Sequence, residues 1–118
     1  MSFMLLMMEA PGKRQERPLE EGQKAYARMM AFQKTLQDKG VLVAGEALKP
    51  DDNAIRIESI HGRRTVSDGP FTESKEIIGG FFLLNCKSRD EALEYAHMCP
   101  MSDWGIVELR EIANSCFE

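Results

Sequence analysis

The sequence has little cysteine, little histidine and no long apolar stretch, and each shortage removes a class of protein. Cys86, Cys99 and Cys116 form an odd set with no C-x-x-C spacing. Neither a disulfide framework nor a zinc site is therefore expected, and reduced thiols in a cytoplasm fit better. Such free cysteines usually serve as small core hydrophobes, with Cys116 near the end of the sequence expected to be the exposed one. The two histidines are His61, at an expected hairpin tip, and His97, in the last turn of an expected helix where a positive charge suits the helix dipole. Neither has a metal-binding partner at i+4. The opening apolar run covers only residues 3 to 8, far short of the roughly 20 residues that a membrane-spanning helix needs. It has no basic leader and no small-residue cleavage site, so the sequence reads as lacking a signal peptide, and a cytoplasmic location is expected. No P-loop, dinucleotide fingerprint, serine elbow or metal-ligand cluster occurs, and no bound cofactor is expected. Basic residues are scattered and outnumbered, 15 against 19 acids for a net charge of −4. Nucleic acid and anionic membrane are poor direct partners for such a surface.

What is present describes an ordinary globular chain. Its 118 residues are 43% apolar and 29% charged, which suits one domain over residues 1–118 with one core. Residues 3 to 8 read as a buried strand. Pro11, Gly12 and Pro18 argue against regular structure in the polar stretch that follows. From Leu19 to about Lys39, Ala25, Met29, Phe32 and Leu36 recur at helical spacing, and Gly40 is a natural stop. "VLVAGEAL", residues 41 to 48, predicts a second strand. Alternation in "AIRIESI" and the Gly62 reversal predict a hairpin over residues 54 to 68. "GGFFLLNC" is a further strand, in which Gly79 and Gly80 permit close approach of another backbone. Ser88 and Glu91 make a capping box for a second helix faced by Ala92, Tyr95, Ala96 and Cys99, ended by Pro100. "GIVELREI", residues 105 to 112, is the last strand.

Strand, helix, strand, hairpin, strand, helix, strand is an α+β order, close to a ferredoxin-like antiparallel sheet with two main helices on one face and an inserted β-hairpin. "MLLMM" and "FFLLN" are apolar on both faces, although helices would shelter only one. A homodimer through sheet faces is the expected remedy, with a ligand covering the face as the alternative.

The functional lead is "DGPFTESKEIIGG", residues 68 to 80, which carries more charge than a turn requires. Asp68, Glu73, Lys75 and Glu76 read either as the rim of a cleft in which a carboxylate is tuned for acid–base work, or as turn-holding and ion-pairing groups. Glu46 is either an outward strand residue or a charge brought inside. Glu108 and Arg110 share one sheet face, where Arg110 could hold an anion or pair with a neighbouring charge; Arg56 is read in the same way. The methionines are mostly core filler, though Met29 and Met30 with Tyr26 have the bulk and flexibility to shape an adaptable apolar pocket.

"AGEALKP", "TVSDGPFTESKEIIGGFFLLNC", "DEALEYA" and "GIVELREI" together resemble the DGPF-domain branch of the YCII-related family, over nearly the whole chain. The resemblance implies the ferredoxin-like fold of the dimeric α+β barrels, a bacterial cytoplasmic origin and assembly through sheet faces. Some members are similar to proteins encoded beside extracytoplasmic-function sigma factors. In the YCII branch proper, a first-helix histidine and an aspartate are the suspected acid–base pair. Here "EEGQKAYARMMAFQKTLQDK" has no histidine, so that dyad is not carried over. Trp104 also stands before Gly105 where many DGPF-like sequences have histidine.

Two functions are thus expected to compete. One is a small organic ligand, anionic or neutral, bound in a cleft between sheet, first helix and the 68 to 76 loop, with any reaction being cofactor-free acid–base or hydrolytic chemistry. In that reading Asp68 or Glu46 is the catalytic candidate, and Glu73, Lys75, Glu76 and Arg110 bind the ligand. The other is a non-catalytic regulatory module with a protein partner such as a sigma factor.

Overall fold

The computed structural model describes residues 1–118. A four-stranded antiparallel sheet is built from β1 (Ser2–Glu9), β2 (Leu42–Ala47), β5 (Ile77–Asn85) and β6 (Ile106–Glu111) in the order β2-β5-β1-β6. The hairpin of β3 (Ile55–Ile60) and β4 (Arg63–Asp68) forms a separate two-stranded sheet. α2 (Leu19–Asp38) and α3 (Arg89–Met98) pack on one face of the main sheet, as the apolar spacing predicts.

The helix ends follow local chemistry. Ser88 Oγ accepts the Glu91 amide at 3.1 Å, and the Glu91 carboxylate reaches back to the Lys87 amide at 2.7 Å. α2 closes with a Schellman arrangement, in which Val41 N–H donates to the Leu36 carbonyl at 3.1 Å and Gly40 N–H to that of Gln37 at 3.0 Å. Gly40 adopts φ +71°, a left-handed conformation open to glycine. Between Pro11 and Pro18 the structure corrects the expectation of irregular chain, because Lys13–Glu16 form one helical turn, α1. The breakers lie outside the turn, and its closing bond, Glu16 N–H to the Gly12 carbonyl at 3.0 Å, needs no proline nitrogen.

Register separates the two faces of the sheet. Phe3, Leu5 and Met7 of β1 alternate inward with Phe82 and Leu84 of β5 to meet Phe32 and Leu36 of α2 and Ala92 and Tyr95 of α3. Phe32 and Phe82 stack edge to face with ring centroids 5.5 Å apart. On the opposite face, Ala44 aligns with Leu83, Met4 and Arg110, and Glu46 with Phe81, Leu6 and Glu108. No helix covers those rows.

The hairpin stands away from this body. The radius of gyration is 16.1 Å, against about 13 to 14 Å for a compact chain of this length. Ile55, Ile57 and Val66 are 64%, 67% and 67% exposed on one hairpin face. His61 and Gly62 form its two-residue tip with φ 52° and 78°, the signature of a type I′ turn. Cys86 and Cys99 are buried and Cys116 exposed, in line with the expected roles. Burial raises the pKa of both interior thiols, helped at Cys86 by the Glu91 charge and opposed at Cys99 by a backbone hydrogen bond from Met101. They stay protonated and make poor nucleophiles.

Candidate functional site

α2 is anchored unevenly. Its C-terminal half buries Phe32 and Leu36, whereas its N-terminal half turns Gly22, Ala25 and Met29 toward the sheet. Across from these small residues the floor is Gly45, Gly79 and Gly80. Gly45 and Gly80 are required by close approach. A Cβ on Gly45 would lie 2.5 Å from the Phe82 ring, and one on Gly80 would lie 2.8 Å from the Glu46 carbonyl oxygen. With little side-chain volume on either wall, helix and sheet leave a cleft of about 600 Å³, within the range typical of small-molecule sites. Tyr26, Met29, Met30, Met7, Met101 and Trp104 supply most of its apolar wall, so the adaptable pocket expected of Tyr26, Met29 and Met30 is where they sit.

The polar end is at the finish of β1. Arg17 Nη2 donates to Glu9 Oε2 at 2.7 Å, with the two side chains only 17% and 14% exposed. Arg14, on α1, donates to the Leu48 carbonyl across the same end and has no carboxylate partner. Trp104 lies beneath two guanidinium groups, with Arg28 at 5.2 Å and Arg17 at 6.0 Å from its ring centroid. Arg28 also pairs with Asp103 at 2.5 Å, tying α2 to the turn that carries Trp104.

Glu9 and Trp104 also border a second, more open hollow of about 440 Å³, which Lys75, Glu76, Lys13 and Asp103 share. Two of the residues singled out in the charged loop therefore face a cavity, next door to the main cleft. Asp68 and Glu73 line neither. Asp68 is exposed at the end of β4, and Glu73 pairs with Arg56 at 3.6 Å. Glu46 borders the cleft, but its register opposite Phe81 directs the side chain to the uncovered sheet face. Arg110 is on that same face, 3.4 Å from Glu108.

The charged loop is held by groups other than its own acids. Asp51, in the turn Asp51–Asn53, is buried and accepts the Phe71 amide at 2.8 Å. Gly69 N–H donates to the Ala54 carbonyl at 2.8 Å, and the Gly69–Pro70 peptide is cis. Phe71 is buried under the Arg56 guanidinium, 3.7 Å from its ring centroid. "DGPF" thus ties together the two chain segments that enter and leave the hairpin. Sequence reasoning passed over Glu9, Arg14, Arg17 and Asp51. Glu9 closes an otherwise apolar strand, but a charge at a strand end is commonplace and does not mark a site.

A four-stranded antiparallel sheet in the order β2-β5-β1-β6 with two main helices on one face defines an α+β protein of ferredoxin-like fold. The YCII-related domain model matches residues 1–115, and the chain belongs to the YCII-related family. An uncharacterised protein, R00369 of Rhizobium meliloti (strain 1021), is 36% identical over 77 residues, a match spanning 65% of this chain and 62% of that protein. The solved structure of the 5-chloro-2-hydroxyhydroquinone dehydrochlorinase TftG from Burkholderia phenoliruptrix AC1100, in complex with 2,5-dihydroxybenzoquinone, superposes with a TM-score of 0.55. It covers 100% of this chain and 99% of its own at 16% identity, a likeness that establishes the fold.

Proposed function

We propose that the protein binds a small organic ligand in the cleft between α2 and the sheet. The observation that carries this reading is the paired absence of side-chain volume, Gly22 and Ala25 above and Gly45, Gly79 and Gly80 below, inside an otherwise well-packed core. Packed interiors do not leave hollows of this size without a reason. The neighbour in fold TftG, in complex with 2,5-dihydroxybenzoquinone, supports the same use of the architecture. A reaction here would be cofactor-free acid–base or hydrolytic chemistry. Asp68 and Glu46 are the carboxylates proposed from the sequence, and Glu9 is the one that borders both cavities. Lys75 and Glu76 would meet whatever part of a ligand extends into the second hollow.

A thermal-shift screen of metabolites tests the reading, because a ligand that binds only the native state raises its melting temperature, by about 2.7 kcal/mol of added stability at a hundredfold excess over Kd. Ala25→Trp fills the cleft from the helix side. It is expected to abolish the ligand-induced shift while the ligand-free protein still melts cooperatively. Unchanged binding in that variant would rule the cleft out.

We further propose a homodimer through the uncovered sheet face in a bacterial cytoplasm, as the DGPF-branch resemblance and free thiols suggest. Met4, Leu6, Phe81 and Leu83 form the apolar centre of that face, with Glu108 and Arg110 at its β6 side. Leu83→Lys places a charge in the middle and is expected to shift the sedimentation coefficient from dimer to monomer at micromolar concentration. A wild-type protein that sediments as a monomer would refute the dimer. In the regulatory alternative the exposed hairpin face meets another protein, such as a sigma factor, and co-purification would reveal it.

A further inference from the structure

Resting on the cleft as a ligand site, we infer that its ligand is an organic monoanion, an apolar body with one carboxylate-type head, and that Arg14 holds the head. The charges at the polar end are unequal. Glu9 is matched by Arg17 at 2.7 Å, which leaves the Arg14 guanidinium as the surplus charge among the side chains there. Arg14's protein contact is the Leu48 carbonyl, a neutral acceptor that occupies part of a fork built to bind a carboxylate with two parallel bonds. Glu46 does not restore neutrality, since its register sends the carboxylate to the other side of the sheet.

The position of Arg14 suits an end-on contact. It sits on the single turn α1, between Gly12 at φ +83° and the start of α2, and bridges to Leu48, just past the end of β2. A ligand whose body lies against Met29, Met30 and Tyr26 would bring its terminal group to this end. The thioether and aromatic walls offer dispersion contact and little hydrogen bonding, so the body should be apolar. The Glu9–Arg17 pair opposes a dianion, because a second negative charge would face the Glu9 carboxylate. Aromatic and short aliphatic acids share this chemistry, and paired probes separate them.

Trp104 is the single tryptophan and lines the cleft, so its fluorescence reads occupancy directly. Titrations with benzoate and hexanoate are compared with benzamide and hexanamide, neutral analogues of nearly the same shape, in wild type and Arg14→Gln. At least one acid is expected to bind about tenfold or more tightly than its amide in wild type, the usual value of a charge-assisted contact. Arg14→Gln should reduce that ratio to near unity, with the loss falling mainly on the acid. Salt titration of the wild type is the independent measure, since raised ionic strength should weaken the acids alone. Equal affinity of acids and amides would overturn the charge assignment and leave the cleft standing. An acid preference that persists in Arg14→Gln would overturn the assignment to Arg14. If no acid or amide perturbs Trp104 in wild type, neither the monoanion nor the cleft reading survives.

Discussion

Alanine at position 69 is expected to unseat the hairpin. A Cβ at Gly69 would lie 1.7 Å from the Asp51 carbonyl oxygen and 2.8 Å from its carbonyl carbon. Both are main-chain atoms, so no rotamer change can relieve the overlap, and the two segments must part. Parting them breaks the Gly69 amide to Ala54 carbonyl bond and the Phe71 amide to Asp51 carboxylate bond, each 2.8 Å long. Buried donors left without partners cost about 1–3 kcal/mol apiece, so a total loss of roughly 3 kcal/mol or more is expected. The melting temperature should fall, and limited proteolysis should cut within β3 and β4 faster than in wild type. A Gly69→Ala protein with an unchanged melting temperature and a protease-resistant hairpin would contradict the tie.

Leu36→Ala is the second large effect. Leu36 is fully buried and, with Phe32, is all that holds α2 to the sheet by buried side chains. Removing it leaves a hole next to Phe3, Leu5 and Leu84, which belong to the same core. Substitutions of this type cost about 2–5 kcal/mol, with the higher figures where the surroundings cannot collapse. A sheet paired on both sides of β1 is stiff, which favours the upper part of that range. Urea unfolding followed by circular dichroism should show the midpoint lowered. The comparison is Tyr26→Ala on the same helix, where a 67% exposed side chain gives up little packing. Equal losses for the two would mean that α2 is not fastened at its C-terminal end.

The fold could be read from the sequence because each element carried its own local signal. Helical spacing from Ala25 to Leu36, the Ser88 and Glu91 cap, and the Gly62 reversal need no tertiary knowledge, whereas α1 is a single turn between two prolines, too short to display an apolar period. The site was less legible. Tyr26, Met29 and Met30 could be picked out, since they share a helix face, but the cleft beside them is produced by missing atoms at Gly45 and Gly80, which face α2 only after β2 and β5 have paired. Glu9, Arg14 and Arg17 converge through the turn of α1, which the pattern of apolar residues does not reveal. The "DGPF" string drew attention for its acids, whereas Phe71, buried under Arg56, and Gly69, pressed against Asp51, are what the structure uses to fasten it. Glu46 illustrates the remaining ambiguity: a strand residue's face depends on register, and the irregularity between Leu42 and Ala44 shifts that register before Glu46 is reached.

The uneven fastening of α2 makes the helix a cantilever. Its less buried arm, from Leu19 to Arg28, owes its placement to the Arg17–Glu9 pair at its start, to the charged tether between Arg28 and Asp103 and to whatever fills the space beneath it. Filling that space would stiffen the arm, and the entropy surrendered in doing so would be charged against affinity. A site of the proposed kind would trade tightness for tolerance of shape, accommodating guests of somewhat different outline by small swings of one rod about a fixed end.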